Sequence, residues 1–239
     1  MENEQEEKNQ FLRTQWLLGE AAMERLKKAR VAVFGIGGVG GYVAEALARS
    51  GVFSLDLIDK DLVSLTNLNR QIVALHSTVG RPKVDVMKER ILDINPQAQV
   101  HTYQCFYLPD TRDLFDFSQY DYVVDAVDTV TAKLELISQT KQSGVPIICS
   151  MGAGNKKNPA VFEVADISQT SVCPLARVMR QECKKRSLKN VKVVYSKEKP
   201  LNFGHEAPAS CAFVPSVAGL VIASEVIKDL VAPDKETTR

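Results

Sequence analysis

The stretch VFGIGGVGGYVAEALARSG, residues 33–51, leaves few folds open to the chain. The apolar run from Arg30 to Gly35 reads as a buried parallel strand. After it Val39, Val43 and Leu47 stand four apart on one face of a helix that Gly51 ends. Between strand and helix, Gly35, Gly37, Gly38 and Gly40 have the spacing of a turn that holds phosphate. Gly35 permits the tight turn, Gly37 lets phosphate approach the backbone, and Gly40 allows the helix to lie close to the strand, while the helix N-terminus offers free amides to an anion.

The alternation continues downstream. FSLDLID is a second strand ending at Asp59. The polar loop KDLVSLTNLNRQ leads to a helix that opens at Pro82 and runs to about Asn95, stopped by Pro96. QVHTYQCF and DYVVDAVD are the next strands, with an acidic, aromatic helix expected between them, then a helix over TAKLELISQTKQSG and a fifth strand in VPIICSMGAG. Strands alternating with helices predict an α/β, doubly wound, mostly parallel Rossmann-like sheet. Beyond residue 154 the expected elements are strands in VFEVADI and VKVVYS, a helix in PLARVMRQECKKRS and an apolar closing helix in SVAGLVIASEVIKDLV. The 239 residues, 45% apolar, suit one domain. It is divided into an N-terminal helical arm (1–29), a nucleotide-binding core (30–154) and a C-terminal extension (155–239) with a mobile loop at about 197–212, KEKPLNFGHEAPAS at its centre.

Composition excludes several classes. No apolar run is long enough for a membrane span and MENEQEEKNQ is unlike a signal peptide, so a cytoplasmic location is expected. Cys105, Cys149, Cys173, Cys183 and Cys211 form no CxxC pair, which speaks against structural zinc and dithiol chemistry. A net charge of +1 conceals a basic stretch from Arg177 to Lys199, either a solvated helix face or a contact for a polyanion such as RNA.

The glycines do not separate a redox dinucleotide from ATP. Asp59 is placed to accept hydrogen bonds from ribose in either case. Asn67 and Arg70, three apart, and Lys83 in the first turn of the next helix would converge on more negative charge than a pyrophosphate bridge carries, which favours a triphosphate. Asp128 ends its strand at the carboxyl edge of the sheet, as a magnesium ligand beside phosphates or as a cap for the helix that follows. His76, His101 and His205 stand in no catalytic pattern.

With Gly35 to Gly40, Asp59, TNLNRQ and Lys83 in this order, the chain resembles the ThiF/MoeB superfamily, which includes ubiquitin-activating enzymes and activates carboxylates by adenylation. The resemblance implies that Asp59 holds the ribose, that Asn67, Arg70, Gln71 and Lys83 serve the nucleotide, and that Asp128 holds Mg²⁺. It further implies a homodimer in which Arg13, in FLRTQWLLG, reaches the γ-phosphate region of the other protomer's site. The segments DAVDTVTAKLELI, SMGAGNKKNPAVFEVADI and VCPLARVMRQECKKRSLKNVKVVYSKEKP look like the TcdA (CsdL) branch, the tRNA threonylcarbamoyladenosine dehydratases. That branch implies ATP-dependent cyclisation of a threonylcarbamoyl group on an anticodon-loop adenosine of tRNA. Such ring closure needs no enzyme thioester, because the nucleophile is already attached to the activated carbonyl.

Lys156, Lys157, Lys184, Lys185 and Arg186 are the candidate RNA contacts, with the loop around His205 closing on the modified base. Cys173 is either a catalytic thiol, activated by Arg177 and Arg180, or a packed position at a helix start. Cys211 is the position at which a cysteine desulfurase partner would deliver sulfur, and a monovalent cation is left open. Two alternatives stand beside this reading. One is adenylation of the C-terminus of a ubiquitin-like sulfur carrier, against which the missing CxxC pairs count; the other is an NAD-binding oxidoreductase, which leaves Asn67, Arg70 and Lys83 without a task.

Overall fold

A computed structural model describes residues 9–202, 204 and 207–232. Two short helices, α1 (Leu12–Leu18) and α2 (Glu20–Lys28), precede the first strand, β1 (Arg30–Phe34). There follow α3 (Gly40–Arg49), β2 (Ser54–Ile58), α4 (Lys83–Ile94), β3 (Gln99–Tyr103), β4 (Tyr122–Asp125), α5 (Val130–Ser143) and β5 (Ile147–Ser150). The chain closes with β6 (Phe162–Asp166), α6 (Pro174–Lys185), β7 (Lys192–Ser196) and α7 (Phe213–Val231).

All seven strands form one sheet in the order β3-β2-β1-β4-β5-β7-β6. Every neighbouring pair is parallel except β6 with β7, which makes β6 an antiparallel edge strand. The two C-terminal strands therefore extend the nucleotide-binding sheet. Helices cover both faces, so the central strands read as unbroken apolar runs with no alternation. On one face Val31, Val33, Leu55, Leu57 and Val124 pack against residues of α3, α4 and α7; on the other Ala32, Phe34, Val123 and Cys149 meet α5 and α6.

The segment between β3 and β4 departs from the expected helix. It forms two short 3₁₀ segments, Pro109–Leu114 and Phe117–Gln119. Its aromatic residues do not follow a helical spacing because they converge on one target: the rings of Tyr107, Phe115 and Phe117 surround Phe34 at centroid distances of 5.0, 5.4 and 6.0 Å. Asp116 fixes the second turn by accepting the Ser118 N–H at 3.0 Å. This aromatic cluster takes the place of a crossover helix.

Gly35 and Gly40 show why the opening motif tolerates no side chain. Gly35 has φ +89°, and a Cβ there would lie 2.6 Å from the carbonyl oxygen of Ala126. A Cβ on Gly40 would lie 1.8 Å from the Gly35 carbonyl oxygen, inside any contact distance. These two glycines let β1, α3 and the end of β4 meet as bare backbone. Gly37, by contrast, faces open space, with only Gln71 Nε2 at 3.8 Å from such a Cβ.

Candidate functional site

In the strand order, β1 has β2 on one side and β4 on the other, so the connections leave its carboxyl end in opposite directions. A crevice opens there, as it does in other doubly wound sheets. It is a cleft of about 920 Å³ that Gly35, Gly37, Gly38, Asp59, Asn67, Arg70, Gln71, Lys83 and Asp128 all line. Gly40 lies beneath it, in contact with Gly35. Residues far apart in the chain are thus gathered on one side of one cavity.

Each side chain is held in a way that leaves part of it for a ligand. Asp59 uses one oxygen to accept the Ile36 N–H at 2.7 Å and the other to accept the Asp61 N–H at 2.8 Å. Each carboxylate oxygen keeps further lone-pair capacity, so Asp59 ties the glycine turn to the next loop and can still accept a hydroxyl. The Asn67 side-chain oxygen accepts the Ser64 N–H at 3.1 Å, which leaves its amide NH₂ to donate. Half-buried Arg70 is steadied by the Thr66 carbonyl at 3.0 Å and by Asn69 Oδ1 at 2.8 Å. Gln71 is buried beside Gly37, and its Oε1 has no hydrogen-bond partner among the described residues. A ligand group that donates, such as a hydroxyl, would relieve that deficit.

Lys83 is the first residue of α4, directly after Pro82, and is buried; its ammonium donates to Asp61 Oδ2 at 2.9 Å. Asp61, which also lines the cleft, is a site residue that the sequence pattern did not single out. Asp128 is exposed in the loop after β4. The N-cap of α5 is Thr129, so the capping role considered for Asp128 is not observed. Beside the ribose acceptor, Ile58, Phe106, Tyr107 and Val127 give an apolar wall suited to a purine. The Tyr107 hydroxyl in that wall is buried without a partner among the described residues, and burial pushes its pKa up. The arrangement can hold a nucleoside at one end and a chain of phosphates along the glycine turn.

Other candidates fall elsewhere. Lys156 is a correction: only 4% exposed, it lines the cleft and donates to the Gly152 carbonyl at 2.6 Å, so it is not a surface contact. Lys157, Lys184, Lys185 and Arg186 do lie on the surface outside the cleft. Both Lys185 and Arg186 pair with Glu182, which lowers the Glu182 pKa and offsets part of their charge. Arg13 is exposed on α1 and does not line its own chain's cleft. Cys173 is buried in the cleft wall at the N-cap of α6, while Arg180 is bound to Thr170. Cys211 is half-buried. His101 is bonded to Asp56 at 3.1 Å on the β3 side of the sheet, and His205 lies outside the described residues.

The sequence also gave no sign of how the stretch 197–212 is fastened. Asn155, at φ +59°, binds both of its stems: its carbonyl accepts the Leu201 N–H at 2.8 Å, and its side-chain oxygen accepts the Ala209 N–H at 2.7 Å. A non-glycine residue in the left-handed region was the one available clue, and it is visible only in the structure.

No described helix is long and apolar enough to cross a membrane. Among the described residues no group of three or more His, Cys, Asp or Glu side chains is arranged to hold a metal ion.

Comparison with known proteins gives a consistent neighbourhood. A model of the ThiF family matches residues 11–239. The chain is 44% identical over 240 residues to the tRNA threonylcarbamoyladenosine dehydratase of Bacillus subtilis, covering 93% of this chain and 94% of that protein. It matches the crystal structure of Escherichia coli tRNA N6-threonylcarbamoyladenosine dehydratase, TcdA, with a TM-score of 0.87 and 36% identity over 92% of this chain and 93% of that one; complexes with AMP and with ATP are known. The Escherichia coli molybdopterin-synthase adenylyltransferase is 32% identical over 60% of this chain and 57% of its own length.

Proposed function

Because the chain belongs to the ThiF family, and its cleft gathers phosphate donors on a glycine turn beside an acidic side chain, we propose that it is an ATP-dependent tRNA threonylcarbamoyladenosine dehydratase. The convergence of Asn67, Arg70 and Lys83 on that turn carries the reading, since a nicotinamide dinucleotide would leave them idle.

A carboxylate resists nucleophiles because it is negatively charged and has no good leaving group. In the proposed first step a threonyl carboxylate oxygen bonds to the α-phosphorus of ATP as the bond to the bridging β-phosphate oxygen breaks. Pyrophosphate leaves with its charge held by Arg70 and Lys83. In the second step a ureido nitrogen of the same modification forms a bond to the activated carbonyl. The bond from that carbon to the phosphate oxygen breaks, AMP leaves and the ureido proton passes to solvent. The substrate loses the elements of water, which ATP has carried off as AMP and pyrophosphate.

The donor set fits Mg²⁺, which binds through one or two carboxylates together with phosphate oxygens and needs no all-protein cage. Asp128 would hold the ion, and the ion would neutralise charge on the β- and γ-phosphates. Asp59 orients the ribose while the glycine turn excludes water from the phosphates. The exposed basic end of α6, with Lys184, Lys185 and Arg186, and Lys157 in the loop after β5, are proposed to take tRNA phosphates, and binding is expected to weaken steeply with salt.

Incubation with ATP, Mg²⁺ and threonylcarbamoylated tRNA, followed by nucleoside mass spectrometry, tests the activity. The expected result is a modified adenosine lighter by one water, with AMP and pyrophosphate in equal amount. An unchanged nucleoside together with AMP transfer to the C-terminus of a small carrier protein would overturn it.

Arg13 is proposed to complete the site of a second copy. It shares α1 with Trp16, 66% exposed, and Leu17, 83% exposed, a pair of large apolar side chains that such a contact would cover. Mixed Arg13→Ala and Asp128→Ala chains, each inactive alone, are expected to regain part of the activity once subunits exchange. No recovery, with exchange shown by differently tagged chains, would place Arg13 outside the partner's site.

A further inference from the structure

Three lysines are buried among the described residues, and they are treated differently: Lys83 has the Asp61 carboxylate at 2.9 Å. Lys133 is satisfied: its ammonium meets both oxygens of Asp125 at 3.0 Å and the Ser150 carbonyl at 2.7 Å, one acceptor for each proton. Lys156 has one acceptor, the Gly152 carbonyl, and no carboxylate within ion-pair distance among the described residues. Charged groups in such surroundings are costly unless paired, and an apolar side chain of the same length would be cheaper. A ligand that supplied an anion would remove the penalty.

The position says which ligand. The sheet places Asp59 after β2 and the glycine turn after β1, whereas Lys156 follows β5, two strands away, or about 10 Å across the sheet. It belongs to the end of the cleft opposite the ribose acceptor, where Met151, Pro174 and Leu201 supply apolar wall. The N-terminus of α6 opens into the same end at Cys173 and Pro174, adding a second source of positive potential. Phosphates are already served by Arg70 and Lys83 on the other side. This end is shaped for a small anion attached to an apolar body, which describes the carboxylate of the acceptor.

We propose that Lys156 is a catalytic residue that holds the acceptor carboxylate against the α-phosphate and then hydrogen-bonds the oxygen of the activated carbonyl as the ureido nitrogen adds to it. The inference rests on the dehydratase reading above. In the first step the ammonium offsets the repulsion between carboxylate and phosphate; in the second it stabilises the oxyanion that forms on addition and is lost when AMP departs. Desolvation lowers the pKa of Lys156, while Cys173 and Glu198 act in the opposite direction; a bound carboxylate would add to theirs.

The test is single-turnover formation of the cyclised nucleoside from ATP, Mg²⁺ and threonylcarbamoylated tRNA, with ATP-induced thermal stabilisation measured on the same samples. Lys156→Met is expected to slow ring formation by about a hundredfold while keeping the stabilisation by ATP, and Lys156→Gln, which keeps one donor, to recover part of the rate. Lys156→Met turnover within threefold of the unaltered chain would overturn the proposal, as would loss of stabilisation by ATP in both variants. If the unaltered chain itself fails to cyclise the nucleoside, the dehydratase reading falls, and this inference with it.

Discussion

Asp128→Asn is expected to reduce turnover by about a thousandfold while leaving the protein folded and able to bind ATP. The side chain is exposed, it does not cap α5, and no hydrogen bond within the described chain depends on it. Asparagine keeps the shape and removes the charge. What would be lost is the anionic ligand proposed for Mg²⁺, and with it the neutralisation of charge on the departing pyrophosphate. The urea midpoint should match that of the unaltered chain, and raising Mg²⁺ should restore part of the rate by mass action. A variant within tenfold of normal turnover at ordinary Mg²⁺ would remove Asp128 from the chemistry.

Lys133→Met carries the largest expected cost in stability, about 3–5 kcal/mol, because it leaves a carboxylate buried without its partner. Both Lys133 and Asp125 are fully buried. Burial holds the Asp125 carboxyl above the usual carboxylate range even with Lys133 opposing the rise. Without Lys133 the rise is larger, so the folded state of the variant binds a proton more readily than the unfolded chain. The variant's stability deficit should accordingly be full at neutral pH, above the folded-state pKa of Asp125, and shrink as the pH falls toward the unfolded value. Urea titrations of both chains across acid to neutral pH measure this directly. A deficit that does not change with pH would attribute the cost to packing, and Asp125→Asn combined with Lys133→Met should then bring no recovery.

The same pair connects stability to the site. Asp125 accepts the Val127 N–H at 3.2 Å, and Lys133 holds the Ser150 carbonyl, so one ion pair braces the loops that carry Asp128 and Lys156. Neither Lys133 nor Asp125 was visible in the sequence as anything beyond an element's polar residue. Their meaning depends on β4, β5 and α5 meeting. Lys156 is illegible for a related reason: beside Lys157 in a polar stretch it reads as surface, yet the loop after β5, whose Gly152 lies against Cys173 and Leu175, holds it buried. The Lys83–Asp61 pair and the Asn155 fastening likewise depend on contacts that no local pattern encodes.

The legible features are the local ones. The glycine spacing reflects steric demands within one turn, and the structure shows them as a positive φ at Gly35 and a forbidden Cβ at Gly40. Asp59, Asn67, Arg70, Gln71 and Lys83 come from one continuous stretch of loop and helix start, which keeps them near the same sheet edge. The segment between β3 and β4 misled because its aromatic content signals a shared target, Phe34, and carries no helical period.

The contact between Gly35 and Ala126 also sets an order of assembly. The Ala126 N–H bonds to the Phe34 carbonyl at 2.8 Å, so the floor of the phosphate cradle is made by the first strand and the fourth together. During synthesis the glycines emerge early, yet they face no floor until β2, β3 and the aromatic segment have been made and β4 has inserted beside β1. A nascent chain that stops short of residue 126 holds the motif without the pocket. Nucleotide bound there would then stabilise only chains in which the centre of the sheet is already closed, as a lock on a finished core.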